Sequence, residues 1–368
     1  MEALLDKNVS ALFVLLRAGL WEKKPDDISL FPLSEDEWTE IFGMARKQTV
    51  TGIVYAGICR LPDELMPPSR VLLKWVATID GIERSNVKMN RTIARLYEIF
   101  RREGLNPVLQ KGQGVALFYE QPLLRECGDI DLYFVGKDES EHAAALVRTL
   151  TKNVRKHADN SIYYQCNGIG VEHHTRLIDI CNPFLTGYLD DMERKQGFRK
   201  MCMSVENRET ELLVPAPLLN LLLLNAHIMK HAIGWGVGLR QLCDMARARY
   251  ALRKEVDADE LKRICDRMGI GRWTALLDAF LVCYLGLSPE YAGCSDTDTA
   301  AGPLLDIVLK GGNFGMHASE PGSREGNVCL RKLHTSYSFI RKLRFSCRYA
   351  PKEGFWTFSN LLTGQFKR

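Results

Sequence analysis

The chain has 368 residues, 46% hydrophobic and 26% charged, which is enough for two or three packed units with substantial cores. Lys plus Arg number 49 against 45 Asp plus Glu, and a net charge of +4 is too small to drive nucleic-acid binding by overall charge. Eleven cysteines without a C-x-x-C pair argue against a disulfide framework and for a reducing interior. No stretch reaches the roughly 20 apolar residues of a membrane helix, so no transmembrane segment is expected and the cytoplasm is the expected location.

An amphipathic helix is predicted over 8–20, followed by a linker from Lys23 to Pro32. Ser34-Glu35-Asp36-Glu37 has the form of a capping box, opening helices over about 35–47 and 50–60. A long helix spans 69–102, with Ile82, Met89, Ile93, Leu96 and Ile99 at helical spacing. Arg84, Lys88, Arg91 and Arg95 lie largely on other faces and read as a solvated basic surface. Gly104 stops this helix.

The most informative stretch is 105–135. It predicts a buried strand (Pro107 to Gln110), a turn at Lys111-Gly112, a short helix (Gln113 to Tyr119), and a second strand carrying Asp129-Ile130-Asp131. Carboxylates at i and i+2 of a strand point the same way, about 7 Å apart at roughly 3.4 Å of rise per residue. That spacing suits hard divalent cations, although an exposed strand face gives the same alternation. A helix over 138–152 and strands over 161–166 and 169–176 follow, joined by a hairpin turn at Asn167-Gly168. Glu172 then shares a strand face with Gly170 and His174 and can reach the Asp pair if its strand lies beside theirs.

Beyond this the pattern is less regular. Asp190 to Lys200 reads as helical, and Leu218 to His231 as the buried spine of a helical domain. Arg240 and Asp244 stand as i,i+4 partners on a helix over 239–250. Further helices are predicted over 257–267, 271–285 and 302–310, then a loop over 311–326. The basic, aromatic C-terminal segment, including Arg331, Lys332, Arg341, Lys342, Arg344 and Arg348, reads as a packed terminal helix or a contact for an anionic partner. His227 and His231 lack the H-E-x-x-H pattern and read as core or interdomain groups, with His231 able to lean into a cleft. His157, His173 and His174 do not form a four-ligand zinc pattern, since adjacent histidines on a strand face opposite ways.

The stretch around Lys111, Gly112, Tyr119, Pro122, Arg125 and Gly128-Asp129-Ile130-Asp131, with the later Glu172 and His174, resembles the uncharacterised nucleotidyltransferase family of the DNA polymerase beta-like superfamily. The resemblance runs from about Ser85 to Arg247. It departs from many active superfamily members in carrying Lys-Gly in place of Gly-Ser or Gly-Gly at the turn, as its own family does. It implies an α+β fold, a mixed sheet with flanking helices. The implied organisation is an N-terminal helical region (1–103), a catalytic core (104–205) and a C-terminal helical domain (206–368).

The resemblance also implies Mg²⁺-dependent transfer of a nucleoside monophosphate from a nucleoside triphosphate to a hydroxyl acceptor, be it a small molecule, a protein or RNA, RNA being possible without being indicated. Asp129, Asp131 and Glu172 would hold Mg²⁺, two ions in all, with Glu172 alternatively the base. Lys111, with the amides near Gly112, would meet the β and γ phosphates, Arg125 would add positive charge, and His174 would bond a metal ligand or a phosphate. The alternative is an inactive nucleotide-binding or regulatory protein that keeps the fold.

Overall fold

The computed structural model describes residues 5–157, 159–234, 236–292, 301–311 and 343–366. α1 (Lys7–Leu20) begins where the Asp6 carboxylate accepts from the Asn8 amide. α2 (Glu35–Lys47) begins at the expected capping box, Ser34 Oγ accepting from Glu37 N at 3.3 Å and Ser34 N donating to Glu37 Oε2 at 2.7 Å. α3 (Thr51–Ile58) crosses α1 so closely that a Cβ on Gly57 would stand 1.9 Å from the Leu15 carbonyl oxygen. These helices share one apolar core with the C-terminal helices, Phe13 meeting Phe280 and Tyr284.

α4 (Ser69–Arg102) serves two cores. Its first half gives Val71 and Trp75 to the helical core, and its second half lays Met89, Ile93, Leu96, Tyr97 and Phe100 under the sheet. On its outer faces Arg84 pairs with Asp80, Arg91 with Glu206 and Arg101 with Glu211, so part of the basic surface is matched by carboxylates.

The remaining core elements are β1 (Val108–Gln110), α5 (Gly112–Ala116), β2 (Asp129–Tyr133), α6 (Gly136–Leu150), β3 (Arg155–Lys156), β4 (Ile162–Cys166), β5 (Ile169–His174), α7 (Thr186–Gln196), β6 (Phe198–Val205) and β7 (Arg208–Pro215). They build a mixed seven-stranded sheet in the order β3-β4-β5-β2-β1-β7-β6, giving the expected α+β class. Asn167 and Gly168 take φ of 53° and 72°, as the predicted tight hairpin turn requires.

The β6–β7 hairpin has no counterpart in the sequence reading, which makes Asp190 to Lys200 helical. α7 instead ends at Gly197, whose φ is 67°, and β6 starts at once. The hairpin turns on Glu206 and Asn207, both left-handed, and β7 pairs with β1. The sheet therefore continues past position 205, the expected end of the core, to Pro215.

Register decides which side chains meet. β1 runs antiparallel to β2, with Gln110 opposite Asp131, and β5 runs parallel to β2, with Glu172 opposite Asp131 and His174 opposite Tyr133. Leu109, Ile130, Leu132 and Val171 point to the other face and close the core over α4 and α6. One sheet face is thus apolar, and the polar residues are gathered on the opposite one.

That polar face is roofed by α8 (Pro217–Ile233) and α9 (Leu239–Leu252), followed by α10 (Ala258–Met268), α11 (Gly271–Leu285), α12 (Gly302–Gly311), α13 (343–349) and α14 (Pro351–Phe366). Glu353 ties α14 down by accepting from the Cys181 and Asn182 amides at 2.8 and 3.1 Å. Residues 312–342 lie outside the described residues, so most of the predicted loop, together with Arg331, Lys332, Arg341 and Lys342, does too; Arg344 and Arg348 fall in α13. No described helix is long and apolar enough to cross a membrane.

The loop that delivers β2 is pinned from α4. Buried Asn86 donates to the Leu123 and Arg125 carbonyls at 2.7 and 3.0 Å and accepts from Gln113 Nε2 at 2.9 Å. Asn86→Ala strands all three groups in the interior, and unpaired buried groups cost about 1–3 kcal/mol each before relaxation. A loss of about 2 kcal/mol in urea unfolding is expected; a loss below about 0.5 kcal/mol would show that the loop holds itself in place.

Candidate active site

The polar face forms the floor of a cavity of about 560 Å³ beneath α8, α9 and α14. Asp131 is its centre. Only 7% exposed, it receives Lys111 Nζ at 3.4 Å and His174 Nε2 at 2.6 Å, both on Oδ1. Burial pushes the Asp131 carboxyl up, but the Lys111 charge and the His174 hydrogen bond outweigh it and hold the group well below the usual carboxylate range.

Glu172 lies beside Asp131, its Oε1 4.0 Å from His174 Nδ1 and 3.2 Å from Ser161 Oγ. Among the described residues, Asp131, Glu172 and His174 form a set whose ligand atoms all lie within 4.8 Å of one another. Asp129 points from the same strand face but stands at the exposed rim. The adjacent Asp131 carboxylate, with a further contribution from burial, pushes the Asp129 carboxyl up against the opposing charges of Lys111 and Arg240.

Lys111 reaches the floor from a backbone of φ 44° and ψ −147°, a region that a side chain adopts only under strain of about 1–3 kcal/mol. Gly112 is likewise left-handed, and a Cβ there would stand 3.3 Å from Cys127 Sγ. Comparing Lys111→Gly with Lys111→Ala isolates that strain, because both remove the amine. The Gly variant is expected to be about 1 kcal/mol more stable than the Ala variant in urea unfolding. Equal midpoints would mean that the loop relaxes around either residue.

The structure gives Arg125 a partner that sequence spacing did not suggest. It is 4% exposed, and its Nε and Nη2 bond the two oxygens of Asp244 at 3.0 and 2.5 Å. Tyr119 Oη joins the same carboxylate at 2.9 Å. Arg240, expected to pair with Asp244, instead donates from Nη1 to the Glu126 carbonyl at 3.1 Å. The predicted i,i+4 pair on α9 is therefore replaced by a long-range one.

The roof brings in the two histidines expected as core or interdomain groups, including His231, which was able to lean into a cleft. His227 and His231 stack edge to face, 4.4 Å between centroids, and line the cavity opposite the carboxylates. Burial, followed by the Lys111 charge, pushes His231 down to about 4 and His227 well below its ordinary value, so both are neutral near pH 7. Lys230 pairs with Asp179 on the cavity wall. Thr357 and Asn360 of α14 also line the cavity, and nothing in their sequence pattern signalled this.

A family model described as "Uncharacterised nucleotidyltransferase" matches residues 34–286, well over half of the chain. The chain belongs to this family. Its name carries the general expectation of nucleotidyl transfer, and the match includes every floor residue from Lys111 to Asp244 while stopping short of α14. No curated protein matches the chain. Among solved structures it is similar to an antigenic nucleotidyltransferase-like protein from Paracoccidioides brasiliensis, at 11% identity over 55% of this chain and 93% of that one. The TM-score is 0.32, and a likeness that slight carries no argument.

Proposed function

We propose that the protein transfers a nucleoside monophosphate from a nucleoside triphosphate to a hydroxyl acceptor. The observation that carries this reading is the in-register pairing of Asp131 with Glu172 at the floor of a cavity large enough for a small molecule, with Lys111 and His174 both turned onto Asp131. An apolar sheet has no structural use for such a group of ionisable side chains.

The donor set suits a hard divalent cation: two carboxylates and an imidazole within 4.8 Å, with Asp131 held ionised. Asp131 and Glu172 of this set, with Asp129 beyond it at the rim, are the residues that would hold Mg²⁺, two ions in this reading, and His174 would orient Asp131. Bound Mg²⁺ would supply neutralisation of phosphate charge.

In the transfer, an acceptor oxygen forms a bond to the α-phosphorus and the bond from that phosphorus to the bridging oxygen breaks. The electron pair leaves on pyrophosphate. Glu172, in the alternative to its metal role, would take the acceptor's proton, and Lys111 would meet the phosphate tail as a point charge. Arg125 stands on the same wall with its charge matched by Asp244, so it adds less positive potential than its position alone would give. The acceptor is a small molecule, a protein hydroxyl or RNA.

The test is incubation of the protein with Mg²⁺, cell extract and nucleoside triphosphates labelled at the α-phosphate. Label on an acceptor, lost on changing Asp131, supports the reading. Nucleotide binding without transfer points to a regulatory binder, and absence of both overturns the proposal.

A further inference from the structure

We propose that Arg240 is the cation that receives the leaving pyrophosphate, and that it thereby sets a preference for triphosphates over monophosphates. This rests on the transfer reading above and adds a direction to it. Three cations on the cavity wall are matched by carboxylates: Lys111 by Asp131, Arg125 by Asp244 and Lys230 by Asp179. Arg240 differs. Among the described residues its one recorded hydrogen bond goes to a backbone carbonyl, Glu126 O, and its Nε is covered without a partner. Because Arg125 and Tyr119 take the Asp244 carboxylate, Arg240 is released towards the cavity that it lines.

Sheet order gives the site two sides. Glu172 on β5 lies to one side of the Asp pair, and Lys111 and Gly112 at the end of β1 lie to the other. Gly112 sits against Cys127 and the Asp129 carbonyl, and the Glu126 carbonyl holds Arg240 at that same end.

An in-line displacement puts the attacking and leaving oxygens on opposite sides of phosphorus. A hydroxyl entering beside Glu172 forms its bond on that side, so the bridging-oxygen bond breaks towards Gly112 and Arg240 and its electron pair departs on pyrophosphate. A guanidinium presents a planar fork of N–H donors matched to such an anion. Arg176, exposed beyond the end of β5, also lines the cavity, with its backbone carbonyl near Gln110 of β1.

Calorimetric binding of ATP, GTP, CTP and UTP, their monophosphates, and inorganic pyrophosphate, with Mg²⁺ present, tests the assignment on full-length protein. Arg240→Gln is expected to weaken triphosphate and pyrophosphate binding roughly ten- to hundredfold and to leave monophosphate binding unchanged. Arg240→Lys should fall between it and the wild type, and it carries the test if the Gln variant does not fold. Unchanged triphosphate binding overturns the assignment, as does an equal loss for triphosphate and monophosphate, which is what a merely structural role gives. Both outcomes leave nucleotidyl transfer standing. A wild-type protein that binds no nucleotide overturns the transfer reading and this assignment with it.

Discussion

Asp131→Asn is expected to lower nucleotidyl transfer about a thousandfold, equivalent to about 4 kcal/mol of transition-state stabilisation. The substitution keeps the volume of a side chain that is 7% exposed and removes only its charge. Lys111 Nζ and His174 Nε2 both address Asp131 Oδ1, so this one carboxylate organises the floor. A variant that folds with the wild-type urea midpoint and retains transfer within about tenfold would remove Asp131 from the chemistry.

The same substitution has a readout that needs no acceptor. The Asp131 charge is the largest of the influences pushing the Asp129 carboxyl up, so in metal-free Asp131→Asn the Asp129 titration should fall back towards the ordinary carboxylate value of about 3.9. The two groups affect stability in opposite directions. Asp131, held low in the fold, contributes stability that is present above its unfolded value and lost as pH falls towards the folded one. Asp129, held high, favours the fold while protonated and withdraws that contribution as pH rises through its folded value. The variant should lose both dependences, and an Asp129 carboxyl resonance that titrates as in wild type would show that the two carboxylates do not form one charge centre.

Local chemistry made much of this floor legible. Strict strand alternation put Asp129 and Asp131 on one face and Asn167-Gly168 fixed the β4–β5 register, whereas Glu172 joins them only because the fold lays β5 beside β2. The capping box at Ser34 and the whole of α4 were readable for the same reason: their signals lie within a few residues of one another. The β6–β7 hairpin was not, since its turn is Glu206-Asn207 without glycine and its first strand follows directly on a charged helix. Arg240 was misassigned because i,i+4 spacing offered it Asp244, and only the tertiary fold brings in Arg125, 119 positions away, as the stronger claimant. The contribution of α14 to the cavity wall was hidden because Thr357 and Asn360 acquire meaning only once Glu353 has docked the helix on the Cys181–Asn182 backbone.

Asp244→Ala is expected to destabilise the protein by about 3–5 kcal/mol, the largest stability effect of any single change considered for this chain. Both members of the Arg125–Asp244 pair have side chains 5% exposed, so deleting the carboxylate leaves a guanidinium buried without its counter-charge and strands Tyr119 Oη. Arg125 cannot escape by losing its proton, because the guanidinium stays charged in proteins. The cost is one of desolvation, which predicts a sharp asymmetry. The double variant Arg125→Met with Asp244→Leu removes both charges, fills similar volume and should recover most of the loss, since well-packed apolar replacements of buried pairs are often neutral or stabilising. Urea midpoints of the two single variants and the double variant decide the matter. Additive losses would mean that the pair is solvated and that α9 is held on the sheet by apolar packing alone, whereas strong recovery assigns the junction to this ion pair. The double variant also bears on the site, because it takes the Arg125 guanidinium and the Asp244 carboxylate off the cavity wall together, so a stable double variant with altered triphosphate binding separates the electrostatic contribution of the pair from its part in folding.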